Sequence, residues 1–499
     1  MPEHLIPFDD ATSDLLACAA YIAESIRSGD GRAAAMEAIV PVYLARSEVD
    51  LAAELANTVD DSYMRDRLLI RVAEKCAEID DVEYALQLAE AIEDHGPRSH
   101  ALETIGIKRA TAGDFETARS IAERLDHPEF VLAAIAARQV ESGDRPGAEA
   151  TLDEIEFPAA RVTGLEEIAA AAHRKGDSER ALETANRAVL AAGDIPHDEE
   201  RTQALCGLGN LFIEMGRNDR AIETYESARA NAELIDNVHR DPLLALAAAG
   251  FSRAGSVDLA DRALDMISDK TSLASGLLSF AREHARKGEN AESAEVLEEA
   301  IAILRSQKEK ETRDTKAKNN LHSLIAAQFA GVGGGERAIE VAAEINDEAT
   351  QVSALSQIAR VLVQRNDTES ARMAIRAIPD DASRVFALIE MSDAYLKNGE
   401  IEAATAALSE AAELAETVPQ LSSRSSAYNE IAKRFYQHGD LEKFNTAAGK
   451  SLETIRSIRD DSIRSVALAE FSSLYTPDDL KIGPVEKQLI AGLAGSAGN

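Results

Sequence analysis

The chain has no tryptophan, and Phe and Tyr bring its aromatic share to only 4%. Any core must therefore be built from Ala, Leu, Ile and Val, which suits closely packed helices better than a sandwich or barrel. Cysteine is equally scarce: Cys18, Cys76 and Cys206 lie far apart with no paired spacing. That argues against a disulfide framework or a cysteine-based zinc site and fits buried thiols in a reducing compartment. Long apolar runs are missing too. The stretch "LLACAAYIA" is too short to span a bilayer, and "MPEHLIPFDD" is acidic with no basic segment ahead of an apolar one. The expectation is a soluble, cytoplasmic protein with no membrane partner.

Lysine is sparse, with 15 Lys against 38 Arg and none before Lys75. Acid dominates: 88 Asp and Glu against 53 Lys and Arg leave a formal charge of -35. Such a field repels phosphate backbones and anionic lipid, so nucleic acid is not expected as a partner. The same surface suits concentrated salt, where the Debye length falls to roughly 3 Å at 1 M. A salt-adapted source such as a halophilic archaeon is one reading, and an ordinary acidic cytosolic protein the other. Catalytic signatures are absent as well. "GVGGGE" lacks the spacing and preceding strand of a dinucleotide fingerprint, and no phosphate-binding loop, His-Glu-x-x-His or Gly-x-Ser-x-Gly occurs. His95 and His100, with Asp126 and His127, read as surface or capping residues. No catalytic residue, cofactor or metal is expected.

What the chain does have is a period. Breaks between apolar stretches fall at Ser47, Asp80, Gly113, Gly143, Gly176, Gly216, Gly255, Gly288, Gly333, Asn366, Gly399 and Gly439. The intervals are 33, 33, 30, 33, 40, 39, 33, 45, 33, 33 and 40, so 33 recurs six times, the signature of a repeat architecture. Gly and Asn suit a helix end that needs one residue at positive φ. The next residue is often acidic, as in Asp114, Asp144, Asp177, Asp367, Glu400 and Asp440, where a carboxylate caps the following helix. Five residues after the break stands Ala in ten of twelve units, with Ser293 and Phe444 the exceptions. A small side chain there lets two helices of a hairpin approach closely. Units of 40 keep the register, because seven extra residues add almost two turns at about 3.6 per turn.

At 202–235, "TQALCGLGNLFIEMGRNDRAIETYESARANAELI" resembles a tetratricopeptide repeat: Leu208 and Gly209, Phe212, Gly216 at the turn, then Ala221, Tyr225 and Ala228. Leu205 stands for the usual opening Trp and Glu233 for the closing Pro. The units around Gly255 and Gly399 keep parts of the motif, and the others only the hairpin pattern. The resemblance implies an all-α fold without β-sheet, a right-handed α-solenoid of about twelve stacked helix-turn-helix repeats. HEAT-like hairpins are the alternative. A single hairpin cannot bury its own apolar faces, so stability should come from stacking.

Fifteen residues before the break stands Arg32, Arg65, Arg98, Arg161, Arg201, Arg240, Arg384 or Arg424, with Pro128, Leu273, Lys318 and Gln351 the exceptions and Arg464 equivalent in a last helix. Arginine in a first turn opposes the helix dipole unless an anion is near, and acids stand just upstream, as in "PDDASR" and "RDDSIR". These arginines are read as a structural ladder tying the loops between hairpins. A basic stripe for an acidic peptide or phosphorylated ligand is the functional alternative.

Tetratricopeptide-like proteins hold peptides or partner helices in a groove lined by first helices, some with an Asn, Lys and Arg clamp. The nearest matches are Asn429 with Lys433, one turn apart, and Asn210, all read as solvated helix faces if no clamp forms. The basic stretch 305–320, with Lys308, Lys310, Arg313 and Lys316, is a charged linker or helix extension, or a docking site for an acidic partner. The expected layout is a capping helix at 1–30, a first arm at 31–304, the 305–320 linker, a second arm at 321–476 and a cap and tail at 477–499. The function expected is a non-catalytic scaffold or adaptor for a protein or peptide partner, with self-association open. A regulatory ligand-sensing or enzyme-accessory subunit with a small ligand in the groove is the alternative.

Overall fold

The computed structural model of the chain describes residues 4–306, 312–475 and 483–497. Among the described residues there are 28 helices and no strand. Nearly all belong to two-helix hairpins, such as Asp198–Glu214 with Asn218–Ala232 and Arg240–Ala254 with Val257–Asp265.

The hairpin turn has one design. All twelve break residues have positive φ, and they are the full set of such residues among those described: nine glycines and Ser47, Asp80 and Asn366 at 62°, 69° and 62°. At each, the N–H of the next residue donates to the carbonyl five residues earlier at 2.8–3.0 Å, from Glu48 to Tyr43 through Asp440 to Phe435. This long-reach bond satisfies a carbonyl that the helix end would otherwise leave open. The acid after the break then caps the second helix: Asp114, Asp144, Asp177, Asp367 and Asp440 each accept a backbone N–H three residues on. Glu400 makes no such side-chain bond.

The small residue five past the break is fully buried in every unit where it is Ala or Ser. Ser293 uses its burial, donating from Oγ to the Ala281 carbonyl of the facing helix at 2.6 Å. The longer units take their extra residues in the second helix, which runs 15 residues in Ser178–Ala192 and 9 in Val257–Asp265. Between hairpins an aliphatic plug, such as Ile92, Ile195, Val418 or Ile458, is 4% exposed or less. Each contributes roughly 1.5–3 kcal/mol by leaving water.

Two compact units result, one of residues 106–374 and the other of 1–105 with 375–499. The expected linker at 305–320 falls inside the unit of 106–374, and residues 307–311 lie outside the described residues. Its described part is helical, in Asn290–Ser306 and Thr312–Gly331.

The unit of 1–105 and 375–499 contains the two chain ends, and they complete each other. Leu15–Ser25 packs as a second-type helix does. Asp461–Ser472 is a first-type helix. The two pack together, and Asp461–Ser472 also lies against Gly29–Ala45 as successive first helices do elsewhere. Ser465 Oγ donates to the Ala19 carbonyl and Ser462 Oγ to the Gly31 carbonyl at 3.0 Å. Cys18 Sγ lies 3.6 Å from the Ile490 carbonyl in the terminal helix Pro484–Ser496. Leu15–Ser25 and Asp461–Ser472 thus pair as the two helices of a hairpin whose members lie far apart in the sequence.

Candidate partner-binding face

Each first helix buries two sides and keeps one outward stripe. In Asp198–Glu214, Leu205, Cys206, Leu208, Gly209, Leu211 and Phe212 are buried. Gln203, Gly207, Asn210 and Glu214, spaced to share one side of a helix, stay exposed or half-exposed. First helices pack side by side, so their stripes merge into one face within each unit.

In the unit of 106–374 that face is pinned by Tyr225, which reaches it from the second helix Asn218–Ala232. Its buried ring passes between Gly209 and Gly250, where an added Cβ would lie 2.6 and 2.2 Å from ring carbons. The glycines belong to neighbouring first helices, so the ring joins two hairpins. Its hydroxyl donates to Asn210 Oδ1, which also accepts from Arg253 Nη2 at 2.6 Å. Burial pushes the Tyr225 phenol up from its ordinary pKa, keeping it a neutral donor. Arg253 was not singled out from sequence. The available signal was its place two residues before the break, which Arg174 and Arg286 share. Beside this cluster Glu166 is held above the usual carboxylate range, first by burial and then by Glu167 and Glu214.

In the other unit Asn429 is buried and Lys433 is exposed. Asn429 is 5% exposed, its Oδ1 accepts from Ser451 Oγ at 2.6 Å, and its Nδ2 has no hydrogen-bond partner. The reading of Asn429 as a solvated face is corrected by register. Counted from the break, Asn429 points at its own second helix, while Lys433 occupies the outward position that Asn210 holds in its hairpin. On the outward face here a cleft of about 440 Å³ is lined by Phe386, Ser423, Ser426, Ser462, Val466 and Glu470, among others. Burial raises the Glu470 pKa, and a hydrogen bond with Ser426 opposes the shift.

The column arginines bond mainly to backbone. Nε of Arg98, Arg201, Arg424 and Arg464 donates to the carbonyl six residues earlier, that of Ile92, Ile195, Val418 and Ile458, at 2.7–3.0 Å. Arg32 reaches the Ile26 carbonyl at 2.9 Å through Nη2. Gln351, an exception by type, makes a 3.4 Å bond of the same reach to Ile345. The carbonyl belongs to the loop between hairpins, so the guanidinium holds the chain entering its own helix. The paired acids divide the work: Asp380 and Asp460 cap their helices, while Asp381 and Asp461 pair with Arg384 and Arg464. Arg65 lies 2.9 Å from Glu93, Arg161 3.0 Å from Asp153 and Arg240 3.0 Å from Asp241.

Lys308 and Lys310 lie outside the described residues, as does the Arg313 side chain. Lys316 is exposed on Thr312–Gly331, and Arg305 bonds Glu344 at 3.0 Å. Among the described residues no group of three or more His, Cys, Asp and Glu is placed to hold a metal, and no helix is long and apolar enough to cross a membrane. Burial pushes the thiols of Cys18, Cys76 and Cys206 up to about 12, 11 and 12, well away from reactive thiolate.

Residues 202–228 match the tetratricopeptide-repeat family. No curated protein matches the chain. Among solved structures, it is similar to Ton1535 from Thermococcus onnurineus NA1, at 18% identity over 70% of this chain and 97% of that one, TM-score 0.26. It is also similar to the apo form of the quorum sensor NprR from B. thuringiensis, at 12% identity, 72% and 100% coverage and TM-score 0.25. A third is aspartyl phosphate phosphatase F from Bacillus subtilis, at 11% identity, 78% and 94% coverage and TM-score 0.29. Superpositions this loose carry no argument about function. The matched repeat, with its Tyr225 clamp, and the twelve left-handed hairpin turns do carry one about architecture: the chain is a tetratricopeptide-like helical repeat protein.

Proposed function

We propose that the chain is a non-catalytic interaction scaffold that binds a partner peptide or helix on the outward face of its first helices. The observation that carries this reading is the fixed polar face around Asn210. Tyr225 and Arg253 lock Asn210 from two hairpins, so neighbouring stripes present one rigid, preorganised surface, which lowers the ordering cost of binding. The supporting chemistry is negative in kind: the ladder arginines are taken up by loop carbonyls or by neighbouring acids, and the thiols are buried and held protonated.

A second reading, a regulatory subunit sensing a small ligand, is favoured by one feature, the serine-lined cleft that holds Glu470. Co-purification of the tagged chain from its host at the host's own salt, with bound proteins quantified by mass spectrometry, separates the two. One stoichiometric protein partner supports the scaffold. A chain that emerges alone across the salt range refutes stable scaffolding and favours the cleft.

A further inference from the structure

The outward stripe of each first helix falls thirteen, nine, six and two residues before the break, as Gln203, Gly207, Asn210 and Glu214 do before Gly216. In the four consecutive hairpins that turn at Gly255, Gly288, Gly333 and Asn366, these sixteen positions contain no acid and four arginines: Arg253, Arg282, Arg286 and Arg360. With 88 acids in 499 residues, sixteen positions would carry about three. The same positions in the other eight hairpins, thirty-two in all, hold eight acids, Glu141, Glu167 and Glu214 among them. All sixteen are exposed or half-exposed and lie in the unit of 106–374. A protein carrying -35 has cleared its commonest surface residue from one face.

Of the four arginines, Arg282 is the least committed. Arg282 makes no hydrogen bond or ion pair among the described residues, and Arg253 commits one nitrogen to Asn210. Arg286 pairs with Glu283, which is itself 4% exposed. Between them Leu246 and Leu324 stand out as apolar side chains 39% and 41% exposed.

We propose that this face docks an extended acidic segment of a partner protein, its carboxylates on the arginines and its apolar side chains against Leu246 and Leu324. The proposal rests on the scaffold reading and names the partner's chemistry. Guanidinium groups suit carboxylates through paired N–H bonds. Clearing acids from the face removes the like-charge repulsion that would reject such a segment. Four first helices at roughly 9–10 Å spacing span about 30 Å, which an extended chain covers in about nine residues at about 3.3 Å each. Nucleic acid fits less well. The whole-chain charge repels a polyanion, and none of the sixteen positions offers an aromatic ring for base stacking.

The test is fluorescence anisotropy on the full chain with a labelled peptide of alternating Glu and Leu, and with a labelled single-stranded oligonucleotide. R282E/R360E should weaken peptide binding at least about tenfold. R282Q should weaken it about threefold, and R262E, on the second helix Val257–Asp265, should leave it unchanged. No peptide binding to the unmutated chain, equal binding to all variants, or tighter binding of the oligonucleotide would overturn the proposal. Co-purification keeps its failure distinct from that of the scaffold reading. A host partner that R282E/R360E retains refutes this site and leaves the scaffold standing, whereas no partner even for the unmutated chain refutes the scaffold itself.

Discussion

Gly250→Ala tests how the face is pinned. In an open helix interior this change gains up to about 1 kcal/mol from helix propensity. Here the new Cβ would sit 2.2 Å from Cε1 of Tyr225. The ring is fully buried and held from the other side by Gly209, so it has nowhere to retreat. Overpacking costs about 1–3 kcal/mol, and so close an approach belongs at the top of that range, leaving a net loss of about 1–2 kcal/mol. In a Tyr225→Ala background the obstruction is gone, and G250A should instead stabilise by up to about 1 kcal/mol. The coupling between the sites is then about 2–3 kcal/mol. Gly449→Ala is the control, since nothing lies within 4 Å of its added Cβ. It should stabilise by up to about 1 kcal/mol. Urea unfolding followed by circular dichroism reads the midpoints, and hydrogen exchange over 198–254 shows whether the loss is local, since repeat arrays can unfold in parts. If G250A stabilises the unmutated chain as G449A does, the clamp is not as described.

Four further outcomes follow from the same geometry. Arg424→Lys should cost as much as Arg424→Met, about 1 kcal/mol in thermal or urea unfolding, because the bond to Val418 runs from Nε and lysine places no donor there; rescue by lysine would show that charge alone matters. Glu470→Gln should stabilise the chain at pH 7, because a folded pKa raised above the unfolded value makes ionised Glu470 a penalty once pH exceeds about 4.5. Glu149, lowered chiefly by its hydrogen bond to Arg187, has the opposite sign: its stabilisation is present above the ordinary carboxylate pKa and lost as pH falls through the folded pKa, so Glu149→Gln should destabilise at pH 7 by an amount that shrinks as the solution is acidified. Removing residues 1–25 should speed amide exchange across Asp461–Ser472 and leave 198–232 unchanged; unaltered exchange in 461–472 would contradict the split hairpin.

The hairpins were legible because each turn needs one residue of unusual backbone geometry, and Gly, Asn, Asp and Ser mark it at a countable interval. The capping acids and the buried alanine column followed from that count. The register that separates Asn210 from Asn429 was also countable, since one stands six and the other ten residues before its break. Pairing of Leu15–Ser25 with Asp461–Ser472 was not legible, because periodicity shows which side of a helix is apolar and not which distant helix will cover it. The ladder's main acceptors escaped for a related reason. A backbone carbonyl has no letter in the sequence, although the aliphatic residue six before Arg98, Arg201, Arg424 and Arg464 marked where it would be. The Tyr225 bridge sat within the family motif, but its reach to Gly250 and Arg253 depends on how the next hairpin stacks.

Hydrogen–deuterium exchange of the chain, free and bound to its co-purified partner, bears most directly on the proposed binding face. The account expects slowed exchange in the first helices, foremost Arg240–Ala254, Lys270–Arg286, Thr312–Gly331 and Glu348–Gln364, with their second helices unchanged. Protection confined to second helices such as Asn218–Ala232 and Asn290–Ser306 would place the partner on the opposite side and contradict it.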